Sequence, residues 1–193
     1  MKKFSSFLLL VFLINTGMAQ DKYEREYRIR KSQFPEQAFT FLDTYLKDVK
    51  RLRFYKELDS AKTSYEAKFK KDRLFYSVEF DEEGLLEDVE ILITEVDIPN
   101  SSFQAMQDYL KSNFKKFRIR KIQQQYTLTA FQNVENTLHK AFQNLIDPKI
   151  NYELIVAGKK DRDFQDYEIL FDSEGKLIRL RKSLPANYDH VLY

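Results

Sequence analysis

Two acidic stretches, Asp81-Glu82-Glu83-Gly84 and Asp172-Ser173-Glu174-Gly175, are where this chain comes nearest to the residue pattern of a calcium loop. Such a loop gathers about six to eight oxygens, usually from a longer run of alternating acids. Here three acids precede the glycine in one stretch and two in the other. A hairpin turn accounts for every position: Asp opens a type I turn, two polar residues cross it, and Gly supplies the positive φ that closes it. Both stretches are therefore predicted to be turns.

Other site chemistry finds little to work with. The two histidines, His139 and His190, stand 51 residues apart, His139 on the polar side of a helical pattern beside Lys140. Structural zinc takes about four protein ligands and catalytic zinc about three. With no cysteine in the chain, each histidine would need carboxylates that no local spacing offers. There is no Gly-x-Ser-x-Gly elbow, and the four glycines are isolated rather than clustered as a phosphate loop requires. Paired carboxylates stay open, since 30 acidic residues can place two together in space. The expectation is a non-enzymatic protein with no cofactor and no metal.

The acidic turns are one point in a longer repeat. Tyr76, Val78, Phe80, Asp81, Glu83, Gly84, Leu86 and Val89 match Tyr167, Ile169, Phe171, Asp172, Glu174, Gly175, Leu177 and Leu180 at a fixed offset of 91. Pro35 and Pro99, offset by 64, each precede a helical pattern: Ala38, Phe39, Leu42, Tyr45 and Leu46 in one, Phe103, Met106, Leu110 and Phe114 in the other. Ser101 and Gln104 have the spacing of a capping box. Each helix is followed by an alternating run, Lys50–Leu58 and Lys115–Ile122, in which Leu52 and Phe54, or Phe117 and Ile119, share a face opposite the arginines. The strands YEAKF at 65–69 and YELIV at 152–156 come next.

Growth of the offset from 64 to 91 means about 27 residues were added inside the second copy. Phe131, Val134, Leu138, Phe142 and Leu145 give most of them a helical stripe, stopped by Asp147-Pro148. The expected fold class is α+β: two tandem units, each a helix plus a four-stranded antiparallel sheet, over 20–98 and 99–193, with an extra helix at about 130–147 in the second.

The first nineteen residues carry Lys2 and Lys3, an apolar run from Phe7 to Ile14, and small residues up to Ala19. That is the plan of a cleaved export signal, too short to span a bilayer, which takes about 20 apolar residues. The mature chain is thus expected to be periplasmic or secreted, without an integral membrane segment. Lacking disulfides, it must rest on packing, and 17 Phe with 12 Tyr supply the rings for a core. Removing Lys2 and Lys3 from the 32 basic residues leaves 30 against 30 acids, which offers no general attraction for nucleic acid.

Charge is nevertheless uneven. Nine acids and no base lie between Glu79 and Asp97, whereas the equivalent stretch of the second copy carries Lys176, Arg179, Arg181 and Lys182. The face presenting Arg118, Arg120, Arg179 and Arg181 is the candidate partner-binding surface, suited to an acidic protein or envelope polymer.

The helix entered through Phe34-Pro35 or Ile98-Pro99, the alternating basic-aromatic strand, the YEAKF or YELIV strand and then Tyr-x-Val/Ile-x-Phe-Asp-x-Glu-Gly-x-Leu resemble the PepSY-like family, grouped with β-lactamase-inhibitor-like folds. The resemblance runs from about Phe34 to Leu184 and rests on fold-making residues, with no catalytic signature. It implies an exported binding module that inhibits or chaperones another envelope or secreted protein through an open sheet face. The alternatives are a small-ligand module using an aromatic cleft between the units, and a structural envelope-assembly protein.

Overall fold

The computed structural model describes residues 21–22, 24–59 and 62–183; the expected export signal and His190 lie outside them. In chain order the elements are β1 (Asp21–Lys22), β2 (Glu24–Ile29), α1 (Glu36–Leu42), β3 (Lys50–Asp59), β4 (Lys62–Lys71), β5 (Leu74–Asp81), β6 (Leu86–Ile93), α2 (Asn100–Asn113), β7 (Lys116–Thr127), α3 (Leu128–Phe131), α4 (Val134–Phe142), β8 (Asn151–Lys159), β9 (Phe164–Asp172) and β10 (Leu177–Ser183). Each of α1 and α2 is followed by four antiparallel strands, so the α+β architecture read from the repeat is present. Single 3-10 turns at Lys31–Gln33 and Glu95–Asp97 precede the two helices at the same 64-residue offset.

The two sets of strands form one sheet. β6 pairs antiparallel with β7, Val89 opposite Tyr126 and Ile93 opposite Ile122, giving the order β1-β10-β9-β8-β7-β6-β5-β4-β3-β2. β2 and β3 pair antiparallel at one end, and β1 lies parallel to β10 at the other. Laid flat, ten strands would be about 43 Å across. Yet β1 and β2 are separated in sequence by one residue, a step of about 7 Å from Lys22 to Glu24. The sheet must therefore curl until its ends meet, and Arg181 of β10 lies 3.2 Å from the Asp59 carboxylate of β3. The curl has a local source: bulges interrupt β3 near Arg51, β6 at Glu87, β7 near Arg120 and β10 at Ile178, and a bulge strengthens strand bend and twist.

The convex face carries the core. Alternation puts Tyr76, Val78 and Phe80, and equally Tyr167, Ile169 and Phe171, against the helices, where all six are nearly or wholly buried with Ala38, Leu42, Met106 and Leu110. The later matches differ: Leu86 is buried but Leu177 is exposed, because β6 sits mid-sheet beneath α3 and α4 while β10 lies near an edge.

Both acidic stretches are turns. The Asp81 carboxylate accepts from the Leu85 amide at 2.8 Å, and that of Asp172 from the Glu174 and Lys176 amides at 2.9 Å. Gly84 and Gly175 hold φ of 82° and 83°. Each glycine also lies under a helix start: a Cβ at Gly175 would come 2.3 Å from the Ser102 carbonyl oxygen, and one at Gly84 would meet Pro35 at 3.0 Å.

Three local expectations are corrected. α1 stops at Leu42, short of Tyr45 and Leu46, as the chain turns and Asp48 takes a left-handed φ of 62°. The Ser101–Gln104 capping box does not form: α2 begins right after Pro99, which places Ser101 inside the first turn, and Gln104 donates to Asp108 instead. The inserted segment is two helices, split where Gln132 adopts a left-handed conformation and the Asn133 side chain caps α4 by accepting from the Asn136 amide. Leu145 falls outside both helices and is exposed.

Candidate functional site: an acid-lined chamber

The concave face of the curled sheet encloses a chamber of about 470 Å³. Its wall carries nine carboxylates, Glu26, Glu57, Asp59, Glu66, Glu79, Glu87, Asp88, Glu90 and Glu153, against four bases, Lys62, Lys68, Arg179 and Arg181. Strand alternation sets them there. Glu66 faces Glu79 across β4 and β5, Glu79 faces Asp88 across β5 and β6, and Asp88 faces Thr127 on β7.

The bases are spoken for by neighbouring acids. Lys68 lies 2.6 Å from Glu26 and 2.7 Å from Glu66, and Lys62 lies 2.5 Å from Glu87. Arg181 reaches both Asp59 and Glu168, the latter at 2.6 Å, and Arg179 reaches Glu168 at 3.3 Å. Glu168, only 2% exposed by side chain, thus has two arginines beside it.

The first unit lacks that arrangement at the same places. At the offset of 91, Asp88 and Glu90 occupy the positions of Arg179 and Arg181. Gln125 donates to one oxygen of Asp88 at 2.9 Å, and Gln123 donates to Glu90. The other oxygen of Asp88 is buried with no hydrogen-bond partner among the described residues. Burial pushes the carboxyl pKa of Asp88 well up, and the nearby charges of Glu79, Glu90, Glu87 and Glu66 push it further. Glu90 is raised well above its ordinary value by burial and then by Glu153, against a lowering from Lys121. Glu79 is raised chiefly by burial, partly offset by the Ser64 hydroxyl. Lys68 is pulled down by burial, but Glu66 and Glu26 outweigh this and hold its ammonium charged.

Glu26, Glu57 and Glu66 bring ligand oxygens within 4.8 Å of one another and are the described residues most able to hold a metal. The Lys68 ammonium already lies against two of them, so an ion there would have to displace it.

Of the arginines singled out in the sequence, Arg179 and Arg181 lie on the concave wall and act as counter-ions to Glu168, Arg181 being only 18% exposed by side chain. Arg118 is exposed, and Arg120, also exposed, lies 2.8 Å from Asp166. Register and alternation put all four on the concave face, Arg118 and Arg120 open to solvent and Arg179 and Arg181 beside Glu168. Between the units Phe142 of α4 stacks on Tyr45, Phe69 and Tyr76 at ring separations of 4.5, 6.1 and 4.9 Å, and Phe41, Tyr45, Val134 and Leu138 line the space beside that stack. A groove of about 530 Å³ remains between α1 and α4. His139 is exposed on α4.

Sequence reasoning saw the run of acids from Glu79 to Asp97 but not the chamber. One signal was available: Glu66 and Glu153 follow the tyrosine of YEAKF and YELIV at the same place in each copy, and both are buried, at 7% and 8% exposure.

Among the described residues no helix is long and apolar enough to cross a membrane. Neither protein-family models nor curated proteins give a match to the chain. Solved structures do. A presumed periplasmic protein of Bacteroides eggerthii DSM 20697 is similar at a TM-score of 0.53 and 16% identity, over 80% of this chain and 92% of that one. A DUF2874 family protein of Bacteroides ovatus ATCC 8483 is similar at 0.52 and 13%, over 83% and 94%. A DUF2874 family protein of Bacteroides uniformis ATCC 8492 follows at 0.51 and 16%, over 77% and 88%. At these identities the likeness is one of fold: the curled α+β architecture of this chain is similar to that of DUF2874 family proteins of Bacteroides.

Proposed function

We propose that this chain is an exported, non-enzymatic binding protein of the periplasm or cell envelope, and that its concave chamber receives a positively charged group. The observation that carries the reading is the charge reversal between copies. Where the second unit sets Arg179 and Arg181 against Glu168, the first sets Asp88 and Glu90 among further acids, one oxygen of Asp88 having no hydrogen-bond partner among the described residues. A bound cation would supply what the sequence omits. Acids spread along six strands, β2, β3, β4, β5, β6 and β8, favour an extended organic cation over a compact metal cage, since a cage gathers its oxygens within about 2.3–2.6 Å of one ion. Enclosure favours a small ligand over a broad protein interface.

The test is thermal unfolding of the protein with spermidine at low salt. The expected result is a rise in Tm of several degrees that saturates and that falls by more than half in the Asp88→Asn/Glu90→Gln variant. An equal rise in that variant would remove the reading. Exposed Arg118 and Arg120 support a second reading, in which the rim of the same sheet meets an acidic envelope protein.

A further inference from the structure

The concave face does not end with the chamber. A second hollow of about 310 Å³ adjoins it, with Lys68 lining both. The junction is fixed by register: Ser77 of the hollow pairs with Glu90 of the chamber, and Gln123 of the hollow donates to Glu90. Across that line the character of the wall changes. The hollow is lined by Arg51, Arg53, Lys68 and Lys121, with no carboxylate, over the rings of Tyr55 and Phe75 and the side chain of Leu92.

Three features set this hollow apart from an ordinary solvated strand end. Phe75 and Leu92 are cross-strand partners and are each 40% exposed, so the floor carries a partly open apolar patch, with the Lys70 ammonium 5.1 Å from the Phe75 ring centre. Neither Arg51 nor Arg53 has an ion-pair partner among the described residues, although nine carboxylates stand on the same face. Arg51 also holds a left-handed φ of 60° at the β3 bulge, a strained conformation for a non-glycine residue and one that clusters at functional sites.

We infer that this hollow binds an amphipathic carboxylate, a molecule with one anionic head and an apolar body. The head is taken by the guanidinium groups of Arg51 and Arg53 on β3, with Lys121 on β7 across the hollow, and guanidinium matches a carboxylate with two parallel hydrogen bonds. The body lies over Phe75 and Leu92 and covers apolar surface that now faces water. The volume falls at the small end of the range for small-molecule sites, about 300–1,000 Å³. An apolar amine is disfavoured by the three cations of the rim, and a neutral alcohol leaves them without a counter-charge.

The inference is tested by titrating the protein with decanoate, decanol and decylamine, following binding by calorimetry and by the methyl signals of Leu92. Decanoate is expected to bind one to one, shift Leu92, and bind at least tenfold more tightly than decanol. The Arg51→Gln/Arg53→Gln variant, altered only at exposed residues, should lose at least tenfold in affinity while its circular dichroism and Tm stay unchanged. Leu92→Asp should lose a comparable factor. Equal affinity for decanol, or decanoate binding that survives the double arginine variant, overturns the inference. Decylamine acting at Asp88 rather than Leu92 would be seen as a shift at Gln125, so the failure of this site and the failure of the cation chamber are separate results.

Discussion

Asp88 and Glu90 stand where the other unit has arginines, and the consequence is a pH dependence opposite to that of most folded proteins. Their carboxyls and that of Glu79 hold protons more tightly in the folded chain than in the unfolded one, where they return to about 3.8 for Asp and 4.5 for Glu. A raised folded pKa gives stability that is fully present below the unfolded value and lost as pH climbs through the folded one. The protein is therefore expected to melt several degrees higher at about pH 5 than at pH 8, one kcal/mol being worth about 2–4 °C at this size. Asp88→Asn keeps an acceptor for Gln125 while removing the charge, so it should raise Tm at pH 8 and shrink the difference between the two pH values. Calorimetry across that range checks both; a wild-type profile that falls toward pH 5 would contradict the role of these acids.

At the scale of elements, the pair α3–α4 is the main departure of the second unit from the first. Phe142 stacks at once on Tyr45 after α1 and on Phe69 and Tyr76 of β4 and β5, so an insertion in one unit serves as packing for the other. Phe142→Ala is expected to destabilise the fold by about 2–3 kcal/mol, below the usual cost for a fully buried ring because Phe142 is only partly buried, and chemical denaturation will measure it. The strands, both hairpin turns and the presence of this insertion were legible because period-two alternation and Asp-x-x-Gly chemistry act locally. The limits of α1 and the break at Gln132 were not, since apolar spacing continues through both points while the backbone turns away. Asn133, three residues before Asn136, was a readable cap. β2, written Glu-Arg-Glu-Tyr-Arg-Ile, was missed: only Tyr27 and Ile29 alternate in it, and its strand conformation comes from pairing with β3, more than twenty residues ahead. The chamber was hidden for a related reason, because no single strand contains it and only the curl brings Glu26, Glu79 and Glu153 to one space.

At the scale of the whole molecule, the curl is held where β3 and β10 approach. Arg181 joins the Asp59 carboxylate of one strand to Glu168 behind the other. Arg181→Ala removes the 2.6 Å contact from a carboxylate that is 2% exposed, and a loss of about 3 kcal/mol is expected. Arg181→Lys should recover part of it, since an ammonium restores charge but not the reach to two partners. Urea unfolding of the three proteins gives the ranking. The segment that spans this closure also sets an order of events in time. Strand pairs such as β4 with β5 join residues close in sequence and can form early, whereas β1 meets β10 with Asp21 beside Lys182, nearly the full length of the described chain apart. Contacts of such separation come last, after the loop entropy of all that lies between has been met. The acids that face one another on neighbouring strands, Glu66, Glu79 and Asp88, thus meet as the hairpins form, whereas Glu26 and Glu153 join them only as the ring of strands shuts.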